Sequence, residues 1–378
     1  MGFTLLLGSL SINLGLDFEF NDNFDDKNGQ FELNTSGFWN LPYIHIDNNW
    51  TYTAGNYSWV SGTGTWNDPF VIENVIIDGG TLGISIENSK KYFILRNNTV
   101  SNVVGVIGAG IWLNAVTNGS IYNNNVSNNV YGVYLSDNCE NNTISNNFLF
   151  KDMYGIQING FSTKYNKFTD NVILNSSING IYDLGGESNY YARNTIMYTL
   201  QEALYWEGCT NNTFTDNLVK WNGYGIFINP ASDNYFYRNF FVENTQQVYI
   251  TFGSTNYWNS SLIGNYWSNY TGSDLDGNGI GDTEHWLPKG NRDYLPIWDE
   301  IVPNITINSP IVNQTIGTIA PDFNIRVNEV YLDTMWYSLD TGITNIPFTS
   351  NGTISQNLWK LIPDGSVTIR FYANDSLG

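Results

Sequence analysis

A short motif, glycine followed by apolar, variable and apolar residues, returns through the middle of this chain about every 23 residues. It reads GISI at Gly83, GIWL at Gly110, GVYL at Gly132, GIQI at Gly155 and GIFI at Gly225, with weaker copies GIYD at Gly180, ALYW at Ala203 and QVYI at Gln247. Successive steps are 27, 22, 23, 25, 23, 22 and 22 residues. Each copy is followed by an asparagine: Asn97, Asn124, Asn147, Asn171, Asn194, Asn217, Asn239 and Asn265. Three residues before each stands a bulky apolar side chain, in order Ile94, Ile121, Ile144, Phe168, Tyr191, Phe214, Phe236 and Leu262. A unit this short cannot bury its own apolar face. It is buried only by stacking on the next copy.

A period near 23 suits a leucine-rich repeat or a parallel β-helix. The first needs leucine-dominated spacing and often a helical return segment. Here isoleucine, valine and aromatic residues alternate in short runs, which favours strands. The expected fold class is all-β: a right-handed, single-stranded parallel β-helix of about 8–10 coils, three strands to a coil, with coils roughly 4.8 Å apart. The recurring asparagine is expected at a left-handed turn position, which it tolerates better than most residues. Its amide is expected to hydrogen-bond up the column.

Two segments flank the repeat. GTGTWNDPFVIENVIIDGG (Gly62 to Gly80) resembles the opening segment of the NosD-like, carbohydrate-binding and sugar-hydrolase β-helix proteins of archaea and bacteria. GNYWSNYTGSDLDGNGIGDTEHW (Gly264 to Trp286) is similar to the segment that closes the helix in the same group. The resemblance covers about residues 40–300 and implies a secreted or periplasmic β-helix. It implies no single activity, because the group includes enzymes, accessory factors and surface proteins. Beyond it the pattern changes to ITIN, FNIRV, MWYSLD, LWKLI and VTIRFYAND between Pro, Gly and Asn turns. That pattern suggests a small β-sandwich resembling an immunoglobulin-like module of surface proteins. The expected division is a degenerate signal segment over 1–20, a cap and opening coils over 21–82, the β-helix over 83–300 with its closing segment at 264–286, and the immunoglobulin-like domain over 303–378. One more edge strand is expected after the last of these segments, so the module reads as truncated or completed by a neighbour.

Composition narrows the partners. The formal charge is −20 (15 Lys and Arg against 35 Asp and Glu), so no basic patch is available for phosphates and nucleic acid is excluded. No run of 18 apolar residues exists, so no membrane span is expected in this chain. Phe3 to Leu16 is apolar like the core of a signal peptide, though without a basic start or a small-residue cleavage site. Fifteen N-x-S/T sequons, from Asn34 to Asn374, add to the expectation of an extracellular or cell-surface glycoprotein rather than a periplasmic one, although with 57 asparagines many arise by chance.

Four constellations carry chemistry. Asp274-Leu-Asp276-Gly-Asn278-Gly-Ile280-Gly-Asp282 fits the first half of an EF-hand-type loop, with calcium ligands expected from Asp274, Asp276, Asn278, the Ile280 carbonyl and Asp282. His285 replaces the usual bidentate glutamate, so affinity is expected to be weak, about 0.1–1 mM. Strand alternation turns Trp112, Tyr134, Tyr182, Tyr205, Phe227 and Tyr249 outward in one column, with Tyr131, Tyr154 and Tyr224 beside it. Such a column suits sugar rings as a stacking platform, or else packs strands and neighbouring subunits. Asp170, Arg193, Asp216 and Arg238 alternate in successive coils as an ion-pair ladder. A weak catalytic set for a polysaccharide lyase or glycoside hydrolase is Asp183, Arg193 and Glu207. A copper-maturation role, which a NosD-like resemblance also implies, meets a shortage of sulfur and imidazole. Cys139 and Cys209 fall about 14 Å apart by coil spacing. That is too far for a disulfide. The expected function is a non-catalytic surface protein that binds a polysaccharide or glycan, copies of itself or other surface proteins. Lyase or hydrolase activity comes second and copper maturation third.

Overall fold

Each repeat folds into three short strands, and strands of successive coils pair in parallel. The computed structural model describes residues 39–251, 254–298, 303–328, 332–340 and 342–375. These fall into two units, one within Gln30–Trp298 and one within Asp299–Gly378. The expected signal segment (1–20) and the start of the cap (21–38) lie outside the described residues.

The first unit is a parallel β-helix with three sheets. Sheet I runs from Ile44–Asp47 to Gln246–Ile250 through nine strands. Sheet II runs from Val60–Ser61 to Tyr235–Tyr237 through nine, and sheet III from Trp39–Asn40 to Tyr266–Trp267 through ten. In the coil of Gly132 the three strands are Tyr131–Ser136, Thr143–Ser145 and Phe148–Phe150. Val133 is registered with Ile111 and Ile156, Ile144 with Ile121 and Phe168, and Leu149 with Val126 and Ile173. All of these are buried, because alternation sends them to the axis. Burying each stabilises the coil by roughly 1.5–3 kcal/mol. Toward the closing end the core side chains become aromatic and stack, Phe236 on Trp258 at 4.4 Å and Phe241 on Trp267 at 4.5 Å. The motif glycine answers crowding: a Cβ on Gly132 would stand 2.5 Å from the Gly155 carbonyl oxygen.

The corner between sheets II and III differs by one residue from expectation. The left-handed residue is Asn97, Asn123, Asn146, Asp170, Arg193, Asp216 or Arg238, with φ between 53° and 58°. The ladder asparagine is the residue after it: Asn98, Asn124, Asn147, Asn171, Asn194, Asn217 and Asn239, with Asn265 last, all buried. Its Oδ1 accepts two N–H groups from the preceding coil. The backbone N–H and the amide of Asn147 both donate to Asn171 at 3.0 Å, while the Asn171 amide reaches back to the Ile144 carbonyl at 2.9 Å. The turn strands a backbone N–H inside the solenoid, and leaving it unpaired would cost about 1–3 kcal/mol. Hence the first ladder member is Asn98 rather than Asn97, with Leu95 rather than Ile94 on the axis. In the final coil Leu262 is exposed, and Trp258 takes the core position.

A second ladder, not foreseen, runs along the corner between sheets I and II through Asn142, Asn166, Asn189, Asn212, Asn234 and Asn256. One short segment ends both ladders. Asn291 accepts from Asn256 and from Trp258 Nε1. Asp293 accepts the backbone N–H of Asn265 at 2.7 Å, its amide at 3.2 Å and Trp267 Nε1 at 2.9 Å. A carboxylate has no N–H to pass on, so the ladder stops there.

In the second unit Asn304–Ser309, Asp322–Asn328 and Gly352–Thr353 form one antiparallel sheet. Ile346–Phe348, Leu332–Ser338 and Arg370–Asp375 form another. Both contribute to a small core of Ala320, Phe323, Ile325, Tyr337 and Ile354. These are small antiparallel sheets on one core; an immunoglobulin-like strand arrangement is not established by them.

Candidate functional site

The outward side of sheet I carries the aromatic column. Trp112, Tyr134, Gln157, Tyr182, Tyr205, Phe227 and Tyr249 are successive partners in the register. Gln157 interrupts the rings, and the tyrosines beside the column bridge the gap. Tyr134 lies 4.8 Å from Tyr131, Tyr131 5.3 Å from Tyr154, and Tyr154 6.0 Å from Tyr182. The path continues through Tyr205, Phe227 and Tyr249 at 4.9–5.0 Å, with Tyr224 alongside. One expectation changes here. Tyr205 and Phe227 are within 9° of parallel at 5.0 Å, so their faces meet along the solenoid axis. Such rings turn edges and hydroxyls to the surface instead of lying flat as a platform.

Two residues further along each strand runs a border that the repeat pattern had not singled out, polar at Glu87, Asn114, Ser136, Asn159, Glu207 and Asn229 and interrupted by Leu184. It ties down the rings. Trp112 Nε1 donates to Ser136 at 2.9 Å, the Asn159 amide to the Tyr134 hydroxyl at 3.2 Å, and the Asn229 amide to the Tyr205 hydroxyl at 3.0 Å. On the opposite border the Asn179 amide donates to Glu202 at 2.8 Å. The outward offset was readable in the sequence, two residues after each aromatic. The nine strands of sheet I contain no lysine or arginine. Burial, then the charge of Glu207, pushes the Tyr182 hydroxyl up to about 12, and burial raises Glu202. In both groups burial disfavours the charged form of the group itself.

The structure does not bring the weak catalytic set together. Asp183 points to the axis and is fully buried, accepting the Tyr191 hydroxyl at 2.5 Å and the Gly186 N–H at 2.9 Å. Burial raises its carboxyl to about 6. Trp206, its neighbour in register, is equally buried, so both side chains belong to the core. Arg193 lies at the corner between sheets II and III and grips Asp170 through two 2.7 Å bonds. Glu207 stands on the outer side of sheet I. The charge ladder resolves into separate pairs, Asp170 with Arg193 and Asp216 with Arg238.

In the Asp274–Asp282 loop the acidic side chains serve their own turn. Asp274 accepts N–H groups from Gly277, Asn278 and Gly279 at 2.7–3.1 Å, and Asp282 accepts that of Leu275 at 2.7 Å. Asn278 takes the N–H of Ile280 through its Oδ1 and donates its amide to Asp276. Among the described residues no three His, Cys, Asp or Glu side chains are gathered so as to hold a metal ion. Nor is any described helix long and apolar enough to cross a membrane.

With this geometry established, comparison with known proteins places the chain. The family profile described as periplasmic copper-binding protein (NosD) matches residues 18–162 and 107–272. The chain belongs to the NosD family. A probable ABC transporter binding protein NosD from Stutzerimonas stutzeri is 34% identical over 112 residues, 29% of this chain and 25% of that protein. Its counterpart from Pseudomonas aeruginosa is 35% identical over 102 residues, 27% and 22%. The matched NosD segment thus spans about a quarter of either relative. Among solved structures, a mutant of the periplasmic alginate epimerase AlgG aligns with TM-score 0.41 and 17% identity, covering 48% of each chain. The Dettilon tailspike protein aligns with TM-score 0.36 and 17% identity, covering 51% of this chain and 45% of that one.

Proposed function

We propose that this NosD-family chain works outside the cytoplasm as a non-catalytic β-helix that docks an uncharged glycan along the outer side of sheet I. The observation that supports this reading is the continuous path of nine rings, bordered by amides and hydroxyls and free of cations. Ring edges and apolar ring surface suit the C–H faces of a sugar, and the phenol and amide groups suit its hydroxyls. Coils recur at about 4.8 Å, so a polymer laid along the axis meets the same groups at every step. Carboxylates at Glu87, Glu202 and Glu207 repel a uronic-acid chain.

The test is calorimetric titration with neutral, amino-sugar and uronic-acid oligosaccharides. Binding of the neutral series, weakened at least tenfold by Tyr205→Ala with the circular dichroism unchanged, is expected. Preference for the uronic-acid series, or absence of neutral binding, would remove the proposal. Concentration-dependent self-association abolished by the same variant would reassign the face to assembly, and bond cleavage would favour the enzyme reading.

A further inference from the structure

The family description names copper, and the donors of this chain can be tested against it one by one. Every histidine and cysteine in the sequence lies among the described residues: His45, His285, Cys139 and Cys209. Copper(I) takes sulfur, and copper(II) takes imidazole with oxygen or nitrogen. Either needs several donors around one point.

The thiols are sealed and separate. Cys139 and Cys209 are 0% and 1% exposed. Cys139 Sγ donates to the Ser136 carbonyl at 3.2 Å, and Cys209 Sγ to the Asp183 carbonyl at 3.2 Å. Their turns are linked in register through Glu140, Lys164, Glu187 and Thr210, three coil steps, or about 14 Å. Burial pushes the Cys139 thiol up to about 12 and also raises Cys209 well above the usual thiol range, away from the thiolate that binds metal.

The imidazoles stand at opposite ends of the solenoid. His45 sits in the first strand of sheet I, with Nε2 2.9 Å from Glu87. His285 belongs to the closing segment and stacks on Trp267 at 5.2 Å. Eight coil steps lie between those ends, on the order of 40 Å. The carboxylate nearest His285 in register, Asp293, accepts three N–H groups through one oxygen and a fourth through the other. Met153 and Met197 lie in coils two steps apart.

We infer that the described residues of this chain form no copper site, so that copper handled in its company is held by another molecule. The inference is independent of the glycan reading. The purified full chain is equilibrated with copper(I) under reductant, and separately with copper(II), then passed through a chelating competitor and assayed for metal. Retention below 0.1 equivalent, with an unchanged thermal midpoint, is expected. One retained equivalent overturns the inference, whether it is lost in Cys139→Ser, Cys209→Ser, His45→Ala or His285→Ala or survives all four. Thiol titration of the native protein checks the burial premise. Slow reaction that becomes complete only in denaturant supports it, and two rapidly reacting thiols in the folded chain contradict it.

Discussion

The corner between sheets II and III and the outer side of sheet I are built from the same repeat, yet they use it oppositely. At the corner each asparagine is locked by directional bonds to the coils on both sides, out of contact with water. On the outer side of sheet I, rings touch rings with angles from 9° to 85° and stay partly exposed to water. A buried polar column tolerates one residue type because each unpaired amide is costly. Ring packing on a surface is satisfied by Trp, Tyr or Phe alike. Specification belongs to the first region, and freedom to acquire a ligand belongs to the second.

The largest effect should come from breaking the corner. Asn171→Ala removes the acceptor of two Asn147 N–H groups and the donor to Ile144, so about 4 kcal/mol of stability should be lost in urea unfolding. Tyr182→Ala, on the outer side, should cost about 1 kcal/mol. Equal losses would erase the contrast.

Buried carboxyls sharpen it next. Burial holds Asp183 and Asp293 at about 6 in the folded chain, against 3.8 ordinarily. The folded state therefore takes up these protons at higher pH than the unfolded chain does. Their stabilising contribution is complete below about pH 4 and is lost as pH rises through 6. It amounts to at most about 3 kcal/mol for each group. The thermal midpoint should climb between pH 7 and 4.5, and Asp183→Asn should flatten that climb. An unchanged slope would show that the repulsion of a −20 chain causes it instead.

Smaller effects are expected at the surface. Asp170→Ala breaks an exposed ion pair and should cost less than about 1 kcal/mol, read as a shift in urea midpoint. Calcium at millimolar concentration should raise the thermal midpoint by a degree or two, and Asp276→Ala should abolish the rise. A flat response in chelator and calcium alike would show that the loop closes on its own N–H groups alone.

Much of the fold was legible because the repeat reports vertical neighbours directly: a residue on the axis in one coil has its counterpart about 23 residues on. Asn124 and Ile121 follow that rule, and so do the outward Trp112 and Tyr134. The one-residue error at Asn97 arose because two asparagines stand together and only the trapped N–H tells them apart. The same corners explain several sequons. In Asn-Asn-Thr at Asn97, Asn141 and Asn211 the first residue is the left-handed one, the second is the ladder member, and the third opens the next strand or stands beside it. Asp183 resembled a catalytic departure because an acidic residue breaks an apolar pattern in the same way whether it faces a substrate or a buried tyrosine.

Periodicity was enough to establish the solenoid, its outward column and the distance between the two thiols, since each follows from spacing alone. Whether rings show faces or edges, which of two asparagines is locked, and how Asp293 and Asn291 end two ladders are matters of orientation. Orientation is set by contacts among coils and by a closing segment whose place no local pattern reveals.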